Sequence, residues 1–193
     1  GSSANLLIAQ SLLESKMLKN KVVIAPTLSW ATTVTPFLQL GYDVKLCDTN
    51  LEDLGLNIQH LENLCKQYRP SVIILVHVLG HANNLKEILR ICKKYNIFLI
   101  EDTCEALGST INKKKLGTFG IASSFSFYYG HHISTIEGGM VCTNNKDLAN
   151  IMKSVKSHGW LREYTKKDQK IIFKKNNISE FQSKFSFFYS GFN

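Results

Sequence analysis

No apolar run in this chain of 193 residues approaches the length of a helix that crosses a bilayer. The longest runs, Ser71 to Leu79 and Ile97 to Ile100, stop against polar or charged residues, so the sequence carries no transmembrane helix. Paired cysteines are missing too. Cys47, Cys65, Cys92, Cys104 and Cys142 show no CxxC spacing, and their odd number argues against a closed disulfide framework. A reducing cytoplasm is the expected compartment. There is no HExxH motif, internal repeat or long low-complexity tract. The chain also shows neither an initiating methionine nor a signal peptide. It opens on Gly1-Ser2-Ser3, which by itself reads either as a tag scar or as the middle of a motif.

What is present is ordinary for one soluble globular domain: 44% hydrophobic and 20% charged residues. The net charge of +8 comes mainly from Lys113 to Lys115 and Lys166 to Lys175. A solvated surface, or steering of anionic substrates such as nucleotides, accounts for that charge without a nucleic acid or a membrane as partner.

Ala4 to Leu13 suits a helix with Ser2 or Ser3 as its N-cap. Lys21 to Ala25 predicts a buried strand, followed by a Pro26-Thr27 turn and a helix over Thr33 to Leu40 closed by Gly41. The alternation continues with strand Val44 to Cys47, helix Ile58 to Gln67, strand Val72 to Val76, helix Leu85 to Tyr95 and strand Phe98 to Ile100. Strands separated by helices imply an α/β fold with a mostly parallel sheet flanked by helices. Beyond Asn176 the signals become irregular. Ligands of such sheets sit beyond the carboxyl ends of the strands. Three polar clusters fall there: Thr27 to Trp30, His77 to His81, and Glu101 to Glu105.

Asp102 follows the run Phe98-Leu99-Ile100, where a carboxylate half-withdrawn from water calls for a cationic partner; a helix cap or a surface ion pair are the plainer readings. The small residues from Gly117 to Ser126 let a planar ligand approach the backbone, and Gly138-Gly139 permits a tight turn into a strand over Met140 to Thr143. His131 and His132 are adjacent on an extended chain, so they point apart and make a poor metal pair. An acid/base histidine fits better, beside the plain reading of a polar loop residue. His158 and Arg162 stand four apart, which on a helical turn puts them on one side; a cation-rich helix end reads the same way.

Gly1-Ser2-Ser3-Ala4-Asn5, Glu101-Asp102-Thr103-Cys104-Glu105-Ala106-Leu107-Gly108, and Ser126-Phe127 through Glu137-Gly138-Gly139-Met140-Val141 resemble, in order, the DegT/DnrJ/EryC1/StrS family of nucleotide-sugar aminotransferases. The resemblance implies the type I pyridoxal-phosphate fold, aspartate aminotransferase-like. Residues 1–193 would be its large cofactor-binding domain, incomplete at both ends and without the smaller C-terminal domain. Gly1, Ser2 and Ser3 would then cradle the cofactor phosphate at a helix N-terminus, with the Ser126 hydroxyl added. Trp30 would stack on the pyridine ring, a core tryptophan being the plainer reading, and Asp102 would pair with the ring nitrogen. Glu105 would flank the ring. Asn193 would reach the cofactor phosphate of a neighbouring subunit, implying a homodimer with a shared site. By their spacing, His158 and Arg162 would face one side, where imidazole and guanidinium meet the sugar or diphosphate.

One departure changes the implied chemistry. Where relatives carry the Schiff-base lysine, this chain reads Ser126-Phe127-Tyr128-Tyr129-Gly130-His131. Imidazole cannot form that link, so the cofactor, pyridoxal or pyridoxamine 5'-phosphate, would be bound noncovalently. A branch of the family similar in this respect consists of 3-dehydratases of nucleotide-linked 4-keto-6-deoxyhexoses. By resemblance, the amino form of the cofactor condenses with the C4 ketone, His131 removes a proton from the cofactor's methylene carbon, and the C3 hydroxyl leaves. An amino donor such as glutamate resets the cofactor. An iron-sulfur type exists in that branch, but no cysteine follows Ser157-His158-Gly159-Trp160. The alternatives are an aminotransferase of the same family and a cofactor-binding regulator or scaffold.

Overall fold

A computed structural model describes residues 1–192. The elements alternate along the chain: α1 (Ser2–Glu14), β1 (Val22–Pro26), α2 (Ala31–Gln39), β2 (Asp43–Cys47), α3 (Ile58–Tyr68), β3 (Val72–Val76), α4 (Leu85–Tyr95) and β4 (Phe98–Asp102). A small hairpin, β5 (Thr110–Ile111) with β6 (Lys114–Lys115), precedes β7 (Ala122–Ser126) and β8 (Gly139–Cys142). Helices α5 (Lys146–Val155), α6 (Lys166–Lys175) and α7 (Glu180–Ser183) follow. Among the described residues no helix is long and apolar enough to cross a membrane.

The main sheet has the order β2-β1-β3-β4-β7-β8, parallel throughout except for β8 against β7. Side chains alternate across a strand, so each buried strand feeds two cores. Ile24, Ile73, Leu75 and Leu99 pack on one face against Leu61, Leu64, Ile88 and Ile91 of α3 and α4. Val23, Ala25, Val72, Ile74 and Ile100 pack on the other against Ile8, Leu12, Phe37, Leu148 and Met152 of α1, α2 and α5. The result is three layers, helix on sheet on helix, as the strand and helix alternation implied.

The α3, α4 and α5 starts are closed by side chains. Asn57 accepts from the His60 amide at 3.0 Å, Asn84 from Glu87 at 3.4 Å, and Asn145 from Leu148 at 2.9 Å. Helix α1 differs. Its N-cap is Gly1, not Ser2 or Ser3 as expected, because both serines already lie inside the first turn, and no side chain caps it. The amides of that turn have no carbonyl a turn earlier to bond, so they stay available.

One further expectation shifts, and the irregular C-terminal stretch gains contacts. The segment from His158 to Arg162 is not a helical turn: His158 adopts a left-handed backbone (φ 61°), which breaks any continuation of α5. The chain after α7 is anchored rather than loose, with Phe187 bridging to Trp160 and the Phe192 amide donating to the Val155 carbonyl at 2.8 Å.

Gly120 shows why small residues precede β7. A Cβ there would collide with the Leu99 carbonyl of the neighbouring strand. Gly120→Ala is therefore expected to cost about 2 kcal/mol through forced strand separation. Urea unfolding measures it, and an unchanged midpoint would show that the loop yields at no cost.

Candidate functional site

The carboxyl ends of β3, β4 and β7 open into a cleft of about 1320 Å³, which the β7–β8 connection and the start of α1 also line. Its wall includes Gly1, Ser2, Ser3, Trp30, Asp102, Glu105, Ser126 and His131, so the structure brings eight expected residues together. His158 and Arg162 are not on that wall. Arg162 lies over the Trp160 ring at 4.7 Å and beside Glu163. Asn193 lies outside the described residues.

One end of the cleft is shaped for an anion. At Gly1 a Cβ would come within 2.9 Å of Cys104 Sγ and 3.1 Å of Ser126 Cβ, so a side chain there would push Cys104 and the end of β7 aside. Gly139 is similarly confined, its missing Cβ 3.0 Å from the Phe125 carbonyl and 3.2 Å from the Gly1 nitrogen. Ser2 and Ser3 are exposed with first-turn amides free of intrahelical partners, and Ser126 stands opposite with its hydroxyl on the end of β7. Helix N-terminal amides, their dipole and a hydroxyl make a phosphate seat.

The floor is shaped for a cation. Asp102 is only 4% exposed. Its Oδ2 accepts from Asn5 Nδ2 at 2.8 Å and Thr33 Oγ1 at 2.9 Å, and its Oδ1 accepts from the Cys104 amide at 3.2 Å. These donors are neutral, and among the described residues no cationic side chain pairs with this carboxylate. A buried carboxylate held in place without a counter-ion can receive a protonated group on a ligand. The buried oxygens of Asn5 (Oδ1) and Ser124 (Oγ) are also without partners. The residues therefore fit a flat ligand with a phosphate at one end and a protonated ring nitrogen at the other. Trp30, 76% exposed at the start of α2, offers its indole face at the rim. Glu105 turns its Oε2 to the Leu79 amide at 2.6 Å.

The cleft wall also carries an imidazole. His131 is half-buried, its amide donates to the Tyr128 carbonyl at 3.0 Å, and its ring meets the Tyr128 ring edge-on at 6.2 Å. His132 is exposed and off the cleft wall. Cys104 also lines the cleft, but burial, reinforced by Asp102, pushes its thiol up, so it stays protonated and is a poor nucleophile. Lys153 and Lys156, both exposed, reach the cleft from α5 and its C-cap.

Asn5 and Thr33 were missed as site residues although a signal existed. Asn5, Ile8, Ala9 and Leu12 share one helical face, and a polar residue on a core stripe asks for a buried partner. The cluster His77 to His81 was expected at the site, yet His77 is fully buried beneath it. Its Nε2 lies 3.2 Å from Glu101 Oε2. Glu101 also accepts from the amides of Phe119 at 2.6 Å, Gly120 at 2.7 Å and Gly117 at 2.8 Å. Burial pushes this carboxyl up, but His77 and the amides of Gly120, Gly117 and Phe119 outweigh it and hold it below the usual range.

The model of the family described as DegT/DnrJ/EryC1/StrS aminotransferase matches residues 1–186. A GDP-4-keto-6-deoxy-D-mannose 3-dehydratase of Escherichia coli O55:H7 is 36% identical over 196 aligned positions, covering 100% of this chain and 50% of that protein. A solved structure of the E. coli GDP-4-keto-6-deoxy-D-mannose-3-dehydratase with bound hydrated PLP superimposes with a TM-score of 0.83 at 32% identity, covering 100% of this chain and 49% of that one. Another, with a trapped PLP-glutamate geminal diamine, gives 0.83 at 32% identity, covering 100% and 50%. The chain thus spans about half the length of these relatives.

Two expectations follow from the charges. A carboxyl depressed in the fold stabilises above its unfolded value of about 4.3 and loses that contribution as pH falls through the folded value. Thermal midpoints measured from about pH 7 down to about pH 3 should therefore fall less steeply for Glu101→Gln than for the unsubstituted chain. Parallel slopes would place the acid sensitivity elsewhere. Asp102→Asn removes a buried charge that has no counter-ion, so the ligand-free chain should keep or raise its midpoint. A loss above about 2 kcal/mol by calorimetry would mean that the bonds from Asn5 and Thr33 outweigh the buried charge.

Proposed function

The chain belongs to the DegT/DnrJ/EryC1/StrS aminotransferase family, and we propose that it is the large, cofactor-binding domain of a pyridoxal/pyridoxamine 5'-phosphate-dependent 3-dehydratase that removes the C3 hydroxyl from a nucleotide-linked 4-keto-6-deoxyhexose. The observation that carries this reading is His131 on the cleft wall, in the segment where the family resemblance expects the Schiff-base lysine.

The phosphate seat of Gly1, Ser2, Ser3 and Ser126 would hold one end of the cofactor, Trp30 its ring face and Asp102 its ring nitrogen. Bound there, the amino form supplies an amine for the substrate's C4 ketone and a protonated ring that accepts electrons. Holding the ring by shape and charge alone leaves the cofactor noncovalently bound, because imidazole cannot make the link that lysine makes. His131 takes a proton on its imidazole and delivers it to the departing C3 oxygen, one group serving first as base and then as acid. The turn bond from its amide to the Tyr128 carbonyl and the Tyr128 ring edge limit the directions it can face. Glutamate as the amino donor, a homodimer in which Asn193 completes the neighbouring phosphate site, sugar contacts from His158 and Arg162, and a cytoplasmic location belong to the same proposal.

The test is the product's mass. The full-length protein, given pyridoxamine phosphate, glutamate and GDP-4-keto-6-deoxymannose, should yield a sugar lacking one oxygen with the 4-keto group kept. His131→Asn should bind the cofactor and give no product. A sugar with all hydroxyls intact and a new amine at C4 would overturn the dehydratase in favour of an aminotransferase, and cofactor binding without turnover on any 4-keto nucleotide sugar would favour a scaffold.

A further inference from the structure

The pair His77 and Glu101 is the most completely buried ionisable cluster beside the site, and none of the chemistry above uses it. Both side chains are 0% exposed. We propose that Glu101 is a positioning residue for Asp102: it holds the tip of β4 so that the Asp102 carboxylate stays on the cleft floor.

Four observations carry this. First, Glu101 and Asp102 are successive residues of β4, so their side chains leave opposite faces of the sheet and any rotation or slip that moves one moves the other. Second, Glu101 receives donors from two directions, the Gly117, Phe119 and Gly120 amides and the His77 ring, which fixes the strand tip about its axis as well as along it. Third, His77 closes the link: while its ring faces Glu101, its own amide donates to the Asp102 carbonyl at 3.1 Å. Fourth, the amides that Glu101 gathers belong to the segment leading into β7, the strand that ends on Ser126. One carboxylate therefore ties the floor of the cleft to its phosphate end.

Stability alone does not call for this arrangement. Replacing a buried ion pair by apolar residues of equal volume is often neutral or better, because desolvation cancels much of the attraction. An apolar pair, however, tolerates sliding, whereas four directed hydrogen bonds do not. On the cleft side Asp102 is held only by neutral donors from α1, α2 and its own turn, so its position depends on the backbone that carries it.

The proposal rests on the cofactor reading above, and the experiment separates the two. Glu101→Gln, nearly isosteric, is made in the full-length protein and studied where circular dichroism shows it folded; if it does not fold, His77→Gln carries the same comparison. In the cofactor-free protein, amide exchange by mass spectrometry should rise in peptides spanning 100–104 and 117–120 and stay unchanged in α3 and α4. With pyridoxamine phosphate, affinity should fall about tenfold and the absorption band of the bound cofactor should move toward that of the free compound. Turnover should drop about 10- to 100-fold in kcat with little change in KM for the sugar. A lower Tm with exchange at 100–104, cofactor affinity and absorption band all as in wild type would overturn the positioning role and leave a purely structural pair. Failure of wild type to bind pyridoxamine phosphate would overturn the cofactor reading instead; exchange at 100–104 would then decide the positioning role by itself.

Discussion

Strand β4 ends on two carboxylates that the sheet sends to opposite sides, and most of the site depends on how each is satisfied. On the α3/α4 side Glu101 is saturated by three backbone amides and an imidazole. On the α1/α2 side Asp102 is supplied with two neutral side-chain donors and left without a cation. A buried carboxylate with full partners builds structure; one with neutral donors but no cation leaves a place for a ligand's positive charge. The parallel sheet makes the contrast possible, because both faces are covered by helices and neither carboxylate can turn to water.

The anion end rests on the opposite device, an absence of side chain. Most helix starts in this chain are capped by the asparagine or serine that precedes them, and those amides are spent. At α1 the cap is glycine, and its missing Cβ lets the helix start abut Cys104 and Ser126. The same atom that a side-chain cap would need is the one that steric contact forbids. An uncapped helix N-terminus pressed against the end of a neighbouring strand brings free amides and a serine hydroxyl to one place, as the proposed phosphate seat requires.

The features readable in the sequence were those fixed by short-range patterns. Apolar runs of β-branched residues alternating with amphipathic segments gave the α/β class and placed Asp102, Trp30 and Glu105 at strand ends. Where a long-range partner decides, the pattern was silent. His77 looked like a member of a polar ligand cluster beyond a strand end, but its partner is 24 residues away on the adjacent strand, and the register of β3 on β4 buries both. The four-residue spacing of His158 and Arg162 failed for a different reason. It assumes right-handed helix between them, and His158 is left-handed, held there by its amide bond to the Phe192 carbonyl at 3.2 Å. The last described residues thus shape a turn that local spacing could not foresee.

In the proposed reading, His131 gives the site its direction. In a cleft that already supplies a phosphate seat and an unpaired carboxylate, an amine at this position would compete with any amine carried by the ligand for the same carbonyl, whereas an imidazole cannot enter that competition and can only move protons. The half-buried setting suits that role: open enough on the cleft side to meet a substrate, and restrained behind by the Tyr128 ring and the turn that joins the two residues. In that reading, retaining the cofactor falls entirely on noncovalent contacts, which raises the demand on the floor and the proposed phosphate seat. A chain that gives up the covalent tether must hold its ligand by geometry, and the geometry here converges on the tip of β4 and the start of α1.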